Sequence, residues 1–235
     1  MDRKSLKRDI LISSYEANAC HIGSALSCVD IMVDIFNCLK EDDIFIFSKA
    51  SGVATYYAIL AEKGYFPKYR LAEYLKNYPL PSKEVPGVIH SFGSLGHGLP
   101  VAVGMAYANR DRDVYVLMSD GECQEGTTYE SALFARQHKL TNLYVIIDYN
   151  KIQALGHTKD IIDLTTAFEF LKNTIPNCEV VDTIKGQGVA RFENESSWHY
   201  NNLNDIILNE ALEDINDDKV YKKRKTIYLH NKKEV

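Results

Sequence analysis

Two continuous apolar runs, Val114-Tyr-Val-Leu-Met118 and Leu143-Tyr-Val-Ile-Ile147, decide the fold of this chain. Uninterrupted runs of β-branched and aromatic residues are typical of strands that are buried on both faces of a parallel sheet. Residues 127–138 lie between the runs and carry apolar side chains at helical spacing, which predicts a strand, helix, strand unit. Its right-handed crossover makes the two strands neighbours. The sequence therefore predicts an α/β fold of three layers, a parallel sheet with helices on both faces.

The rest of the chain supplies further elements around this unit. Ser27, with Asp30 three residues later, resembles a helix N-terminal cap. The segment 98–109 is apolar and rich in small residues, so we expect it to run through the core or an interface. We place a single α/β domain over residues 1–200, and a peripheral helix with a basic tail over 201–235. The expected helices cover 3–19, 27–39, 52–63, 69–77, 98–109 and 205–215, and further strands cover 44–47 and 178–184.

Composition and charge exclude several classes of protein. The 235 residues are 46% hydrophobic, which is enough for a core and rules out a disordered or collagen-like chain. Acidic residues outnumber basic ones, 32 to 27, so nucleic acid is not an expected partner. The one basic stretch, 221–235, is expected to be a solvated tail. We find no apolar run of membrane-spanning length and no signal peptide, and we expect a cytoplasmic protein.

Polar residues follow both central strands at the point where each run ends. Asp120 comes directly after the first strand, and Asn150 closely follows the second. Ligands of parallel sheets bind at the carboxyl ends of the strands, where these two side chains would lie side by side. A carboxylate and an amide oxygen suit a hard cation such as Mg²⁺, and Gly121 would let the backbone approach a phosphate closely. The sequence therefore predicts a site for a metal ion and a diphosphate.

The segments around these residues resemble the transketolase family. The similarity covers roughly residues 10–200 and the N-terminal, diphosphate-binding portion of these thiamine diphosphate enzymes. Two of its most specific segments are Gly-Ser-Leu-Gly-His-Gly-Leu at 93–99 and Asp-Gly-Glu-Cys-Gln-Glu-Gly at 120–126. The other matching segments are 21–27, 48–49, 57–62, 102–106, 139–143, 148–153, 183–189 and 198–199.

The resemblance implies two cofactors, thiamine diphosphate and Mg²⁺, and a role for individual residues. Asp120 and Asn150 match the side-chain ligands of the metal ion, and the main-chain carbonyl of Ile152 matches a third ligand. Histidines at the matching positions contact the sugar hydroxyls, move protons or, at the position of His199, contact the diphosphate, and the first two tasks suit a group that titrates near neutral pH. The implied catalytic residues are His21, His97 and His199, and the implied cofactor-binding residues are Gly121, Glu122, Asn150, His199, Ser51 and Leu99.

The chain departs from the family pattern in three places. Where the family usually has Ser-Lys-Gly-His, this chain has Ser-Lys-Ala-Ser at 48–51, so Ser51 stands in place of a histidine. Ser119 replaces the first glycine of Gly-Asp-Gly, a milder change. The segment between Leu164 and Thr183 is shorter than usual, so we expect the sheet to be trimmed at one edge. These departures favour a specialised relative with altered substrate choice or rate.

The resemblance also implies a partner chain. In this family the glutamate that activates the cofactor lies on a separate pyrimidine-binding domain, which this chain does not include. We therefore expect a C-terminal transketolase-like subunit that carries the pyrimidine domain and this glutamate, in an α₂β₂ assembly. Candidate contact surfaces are the helix around 101–108 and the region of Glu125 and Glu130, which match interface positions of the family.

Three functional hypotheses follow. The first is a transketolase-like subunit that moves a two-carbon ketol unit from a ketose donor, such as a ketose phosphate, to an aldehyde acceptor. The second is a specialised thiamine diphosphate carboligase that makes nucleotide-linked or branched sugars, which the Ser51 departure favours. The third is a non-catalytic regulatory subunit that kept the fold. A dinucleotide-binding module is the weakest alternative, because no strand leads into a Gly-x-Gly-x-x-Gly motif.

Overall fold

The computed structural model describes residues 1–217, so the predicted basic tail at 221–235 lies outside the described residues. The helices are α1 Arg3–Glu16, α2 Ile22–Cys38, α3 Val53–Glu62, α4 Leu71–Asn77, α5 Gly98–Ala108, α6 Gly126–Gln137, α7 Thr158–Ile161, α8 Thr165–Thr174 and α9 Asp205–Asn216. The strands are β1 Ile44–Phe47, β2 Val114–Ser119, β3 Leu143–Tyr149, β4 Ile152–Gln153, β5 Gly156–His157 and β6 Asn177–Asp182. The four longer strands form one sheet, and β4 and β5 form a small antiparallel pair.

The main sheet is wholly parallel and confirms the predicted strand pairing. Its order is β1, β2, β3, β6, and the two central strands pair along their full predicted length. Ser119, the last residue of β2, lies beside Asp148 of β3, so both strands end at the same edge of the sheet. The polar residues that follow them are therefore brought together.

The core lies on both faces of this sheet. Alternate residues of β2 enter different apolar clusters, because successive side chains of a strand point to opposite faces. Tyr115 and Leu117 pack with α1, α2, α3, α4 and α9, whereas Val116 and Met118 pack with α5, α6 and α8. The predicted three-layer α/β architecture is confirmed.

One local expectation, the start of α2, needs correction, and the expectation for α5 is narrowed to an interface. Helix α2 begins at Ile22 and not at Ser27, because the Ser27 hydroxyl does not cap the helix but donates to the carboxylate of Asp148. His21 precedes the helix with a left-handed backbone, at φ 66°. Helix α5 buries only one face within this chain, and on its other face Tyr107 is 47% exposed.

Helix α9 belongs to the polar C-terminal segment that we expected to be peripheral. It lies against α1, and only Ala211 and Ile215 of its residues are buried. The exposed remainder includes Ile206 on the outer face. Among the described helices, none combines the length and the apolar character needed to cross a membrane.

Candidate functional site

The candidate site is a cavity of about 230 Å³ at the carboxyl ends of β2 and β3. Asp120 and Asn150 both line it, and each side chain is almost completely buried, with 2% exposed. Gly121 lies beside them, and a Cβ atom built there would meet no atom nearer than the Gln153 Cβ at 3.8 Å. The backbone at Gly121 is therefore open to a ligand that approaches from the cavity.

Backbone donors hold the two metal-ligand candidates in place. The Asp120 carboxylate accepts hydrogen bonds from the amides of Gly121 (2.9 Å) and Lys151 (2.7 Å). The Asn150 side-chain oxygen accepts one from the amide of Ile152 at 3.1 Å. Burial raises the pKa of Asp120 to about 6, although the nearby Lys49 ammonium opposes the shift. A cation in the cavity would offset that cost of burial.

Below the cavity, a buried network joins three strands to α2. The Lys49 ammonium forms an ion pair with the Asp148 carboxylate at 2.9 Å, and both side chains are shielded from solvent. Ser27 and Thr183 donate their hydroxyls to the same carboxylate, and Asn150 donates its amide to the Ser27 oxygen at 3.2 Å. Burial opposes the charge on Lys49, but Asp148 outweighs it and holds the pKa of Lys49 above its ordinary value.

On another side of the cavity lie two histidines, His21 and His199, and a lysine, Lys185. The Lys185 ammonium donates to the Ile152 carbonyl at 3.2 Å and lies 3.1 Å from Nδ1 of His199. Burial, together with the positive charge of Lys49, lowers the pKa of Lys185 to about 8. Burial and the Lys185 charge lower the pKa of His199 to about 3, and the same causes lower the pKa of His21. The two imidazoles, which pack edge to face at 4.8 Å, are therefore neutral at neutral pH.

The structure brings most of the candidate residues to one cavity. Its lining includes His21, Ser51, Asp120, Gly121, Asn150, Ile152 and His199. Three other candidates lie elsewhere. Glu122 is turned inward, where its carboxylate accepts from Ser119 and Ser48 and from the amide of Gly96. Leu99 is buried in the apolar core, and His97 is exposed at the start of α5, next to the loop that lines the cavity. Their implied roles remain predictions.

Sequence reasoning did not single out two lysines that shape the site. Lys49 lies in the cavity wall, and Lys185 lies behind Ile152 and His199. A pattern in the sequence could have identified both lysines as candidate site residues. Each is the lone charged residue in a short stretch that directly follows a strand, Ser-Lys-Ala after β1 and Ile-Lys-Gly after β6. A lysine at the carboxyl end of a parallel strand lies where ligands gather.

The donor set fits a hard divalent cation. The cavity wall offers a carboxylate, an amide oxygen and a main-chain carbonyl, from Asp120, Asn150 and Ile152, and Mg²⁺ prefers oxygen ligands of this kind. Within residues 1–217 there is no group of three or more His, Cys, Asp and Glu side chains that could hold a metal ion. This part of the chain therefore offers no cluster of His and Cys ligands, whereas oxygen donors do lie beside the open backbone of Gly121.

Comparisons with known proteins agree with this geometry. The family described as "Transketolase, thiamine diphosphate binding domain" matches residues 8–193. One chain of the apulose-4-phosphate transketolase of Actinobacillus succinogenes, named as a subunit, is 35% identical and is aligned over 92% of this chain and 95% of its own length. The 6-deoxy-6-sulfo-D-fructose transketolase subunit of a Clostridium species is 30% identical over 83% of this chain and 88% of its own.

Solved structures show the same fold in larger chains. The transketolase of Campylobacter jejuni superposes with a TM-score of 0.80 at 22% identity. The match covers 92% of this chain and 42% of that one. Human transketolase is 29% identical, and the alignment covers 90% of this chain and 42% of that protein. This chain thus spans less than half the length of these transketolases.

Proposed function

This chain belongs to the transketolase family, and from that premise we propose that it is the cofactor-binding subunit of a two-chain enzyme that transfers a two-carbon ketol unit. The donor would be a ketose or ketose phosphate, and the acceptor an aldehyde. The observation that carries the proposal is the joint position of Asp120 and Asn150 on one cavity beside Gly121. That arrangement suits a divalent cation that holds a diphosphate against an open stretch of backbone.

Different residues of this chain would bind the metal ion and the diphosphate. Asp120, Asn150 and the Ile152 carbonyl would hold Mg²⁺, and the Gly121 backbone would contact the diphosphate. When bound, thiamine diphosphate supplies the nucleophilic carbon that ketol transfer requires. Lys49 lies in the same wall, and its ion pair with Asp148 would keep that carboxylate from repelling the anionic cofactor.

The two neutral histidines, His21 and His199, would contact the sugar substrate. His21 and His199 line the cavity and carry lowered pKa values, so at neutral pH each imidazole is neutral, with one nitrogen that donates and one that accepts a hydrogen bond. Lys185 lies 3.1 Å from Nδ1 of His199, which favours the tautomer that accepts there and carries its proton on Nε2. His97 lies at the rim and would complete the set against the donor hydroxyls.

A partner chain would supply the rest of the enzyme. This chain spans 42% of the transketolases of single-chain type, and its relatives of similar length are named as subunits. The exposed apolar side chains on α5 and α6, including Tyr107, Leu133 and Phe134, support an interface there. We propose that the partner carries the pyrimidine domain and the activating glutamate, and that two copies of each chain assemble as α₂β₂.

The test is calorimetric titration of Mg²⁺ and thiamine diphosphate into the chain mixed with its partner subunit. Asp120→Ala should lower the affinity for the cofactor by at least 100-fold, because the metal ion loses its only charged ligand in this set. Asp163→Ala, at an exposed carboxylate outside the cavity, is the matched control. Ketol transfer should appear only in the mixed sample. Unchanged cofactor affinity in Asp120→Ala would refute the proposed site.

A specialised carboligase is the second candidate, and Ser51 is the observation that favours it. Ser51 lines the cavity where the family usually has a histidine, so the contact with substrate differs there. The two relatives named above act, by their names, on apulose-4-phosphate and 6-deoxy-6-sulfo-D-fructose. We propose an uncommon sugar as substrate of this chain too. Tight cofactor binding without transfer to any aldehyde would instead identify a regulatory subunit.

A further inference from the structure

A second cavity adjoins the candidate site and has no role in the proposed function. Its volume is about 260 Å³, and we call it the side cavity. It shares three wall residues, His21, Ser51 and Leu80, with the cofactor cavity, so the two spaces meet at these side chains. A group bound near His21 therefore has two directions in which to extend.

The side cavity differs in chemistry from the cofactor cavity. Its own walls are formed mainly by Cys20, Val53, Ala54, Leu75 and Pro79. Among the described residues around it, no carboxylate, ammonium or guanidinium group lines the space. Carbon-lined cavities of roughly 150 Å³ are large enough to hold a molecule such as benzene. The side cavity has room for a short alkyl group but offers few hydrogen bonds to a hydroxylated one.

A direct contact links the side cavity to the candidate catalytic residues. The Cys20 thiol lies 3.4 Å from Nδ1 of His21, and His21 in turn packs against His199. An occupant of the side cavity would thus lie against the imidazole that faces the reacting sugar. This position suits the remote part of a substrate whose reactive end lies in the cofactor cavity.

We propose that the side cavity is a substrate subsite that accepts a short aliphatic segment of the acceptor aldehyde. The proposal rests on the proposed function, since it names the acceptor class of the same site. Burial of each added methylene is worth about a four-fold gain in kcat/KM where the pocket has room. Acceptors that lack hydroxyls beyond the aldehyde end are therefore favoured over polyhydroxylated ones of the same length.

The first test compares acceptors in the complete two-chain enzyme with one ketose donor. For propanal, butanal and pentanal, kcat/KM should rise about four-fold per methylene. Ala54→Leu fills the side cavity and should flatten this series while the rate with glycolaldehyde stays within about two-fold. Ala72→Leu, on α4 outside the side cavity, should leave the series unchanged. A flat or falling series in the unmodified enzyme, or an unchanged slope in folded Ala54→Leu, overturns the subsite. Ala54→Val, a smaller step, replaces Ala54→Leu if that variant does not fold.

The second test needs no ketol transfer. Cys20 in the assembled enzyme is labelled with methyl methanethiosulfonate, and the labelled peptides are quantified by mass spectrometry. Pentanol should slow labelling of Cys20 several-fold, glycerol should not, and Cys38, half-buried at the end of α2, is the internal control. No protection of Cys20, or equal protection of both thiols, overturns the subsite. Protection without transfer to any acceptor would leave the subsite standing and refute the proposed function.

Discussion

The floor and the rim of the candidate site are built in opposite ways. The floor, which consists of Ser27, Lys49, Asp148 and Thr183, is buried, and each of these polar groups has a partner inside this chain. The rim, which consists of Leu95, His97 and the outer faces of α5 and α6, exposes large apolar side chains. The polar groups of the floor thus find all their partners within this chain, whereas the rim exposes an apolar surface suited to contact with a second chain.

Glu122 connects these two regions. Its carboxylate is wholly buried and accepts from Ser119 at the tip of β2 and from the amide of Gly96 in the rim loop. Thr127 donates its hydroxyl to the Gly96 carbonyl at 2.9 Å from the start of α6. The rim loop is therefore fastened to the floor, although its outer side chains are exposed.

The largest effect is expected when the floor is broken. Asp148→Ala leaves the Lys49 ammonium buried without its carboxylate, a change that costs about 3–5 kcal/mol in the free energy of unfolding. Urea unfolding of the chain, followed by circular dichroism, measures this loss. Asp182→Ala is the matched control, because Asp182 pairs with Lys151 at 2.6 Å on the surface, where such pairs contribute at most about 1 kcal/mol. Equal losses in the two variants would show that the floor is no more than a surface pair.

The contrast between floor and rim also explains what the sequence could predict. The pairing of Asp120 with Asn150 follows from two buried apolar runs, since parallel neighbours end at one edge. Ser27 misled, because a serine near an acid resembles a helix cap, and only the folded structure places its hydroxyl against Asp148. The charges of Lys49 and Lys185 look exposed in sequence, since burial of a lysine depends on partners that are distant along the chain. The rim could be predicted only as a candidate contact surface, because one sequence does not contain the second chain that we propose to cover it.

A substitution on α6 tests whether the rim is the surface that binds the partner subunit. Leu133 is 54% exposed on α6, so Leu133→Glu should change the stability of the isolated chain by less than about 0.5 kcal/mol. Binding to the partner subunit should weaken by about thirty-fold or more, because the charge would be buried at an interface core. Isothermal titration of the two chains gives both values of Kd. Ile206→Glu on α9, at an aliphatic residue 69% exposed, should leave binding unchanged, and a similar loss there would contradict an interface on α6.

A substitution at Glu122 should cost less free energy than the two substitutions above. Glu122→Gln removes one acceptor oxygen, so that either the Gly96 or the Ser119 amide loses its hydrogen bond at a cost of about 1–2 kcal/mol. Amide hydrogen exchange should become about ten-fold faster at whichever of the two amides, Gly96 or Ser119, loses its acceptor. Glu130→Gln, at an exposed position on α6, is the control. Unchanged exchange at both amides would contradict the idea that the Glu122 carboxylate holds the loop around Gly96.

The smallest effect is a pH dependence that arises at His199, which lines the cavity between floor and rim residues of the site. Its folded pKa of about 3 lies below the ordinary value of 6.5, mainly because of burial and then because of Lys185. Below pH 6.5 the unfolded chain binds the proton more readily, so the free energy of unfolding falls as the pH falls. Between pH 7 and 5 this loss is about 1 kcal/mol after allowance for solvent screening, since His199 is partly exposed. His199→Gln keeps an acceptor for Lys185 and should remove that part of the slope in urea titrations, whereas His157→Gln, at an exposed position, should retain it. If the unfolding free energy of both variants falls with pH as steeply as that of the unmodified chain, the pH dependence does not come from His199. A group contributes to this slope only when its proton affinity differs between the folded and unfolded states.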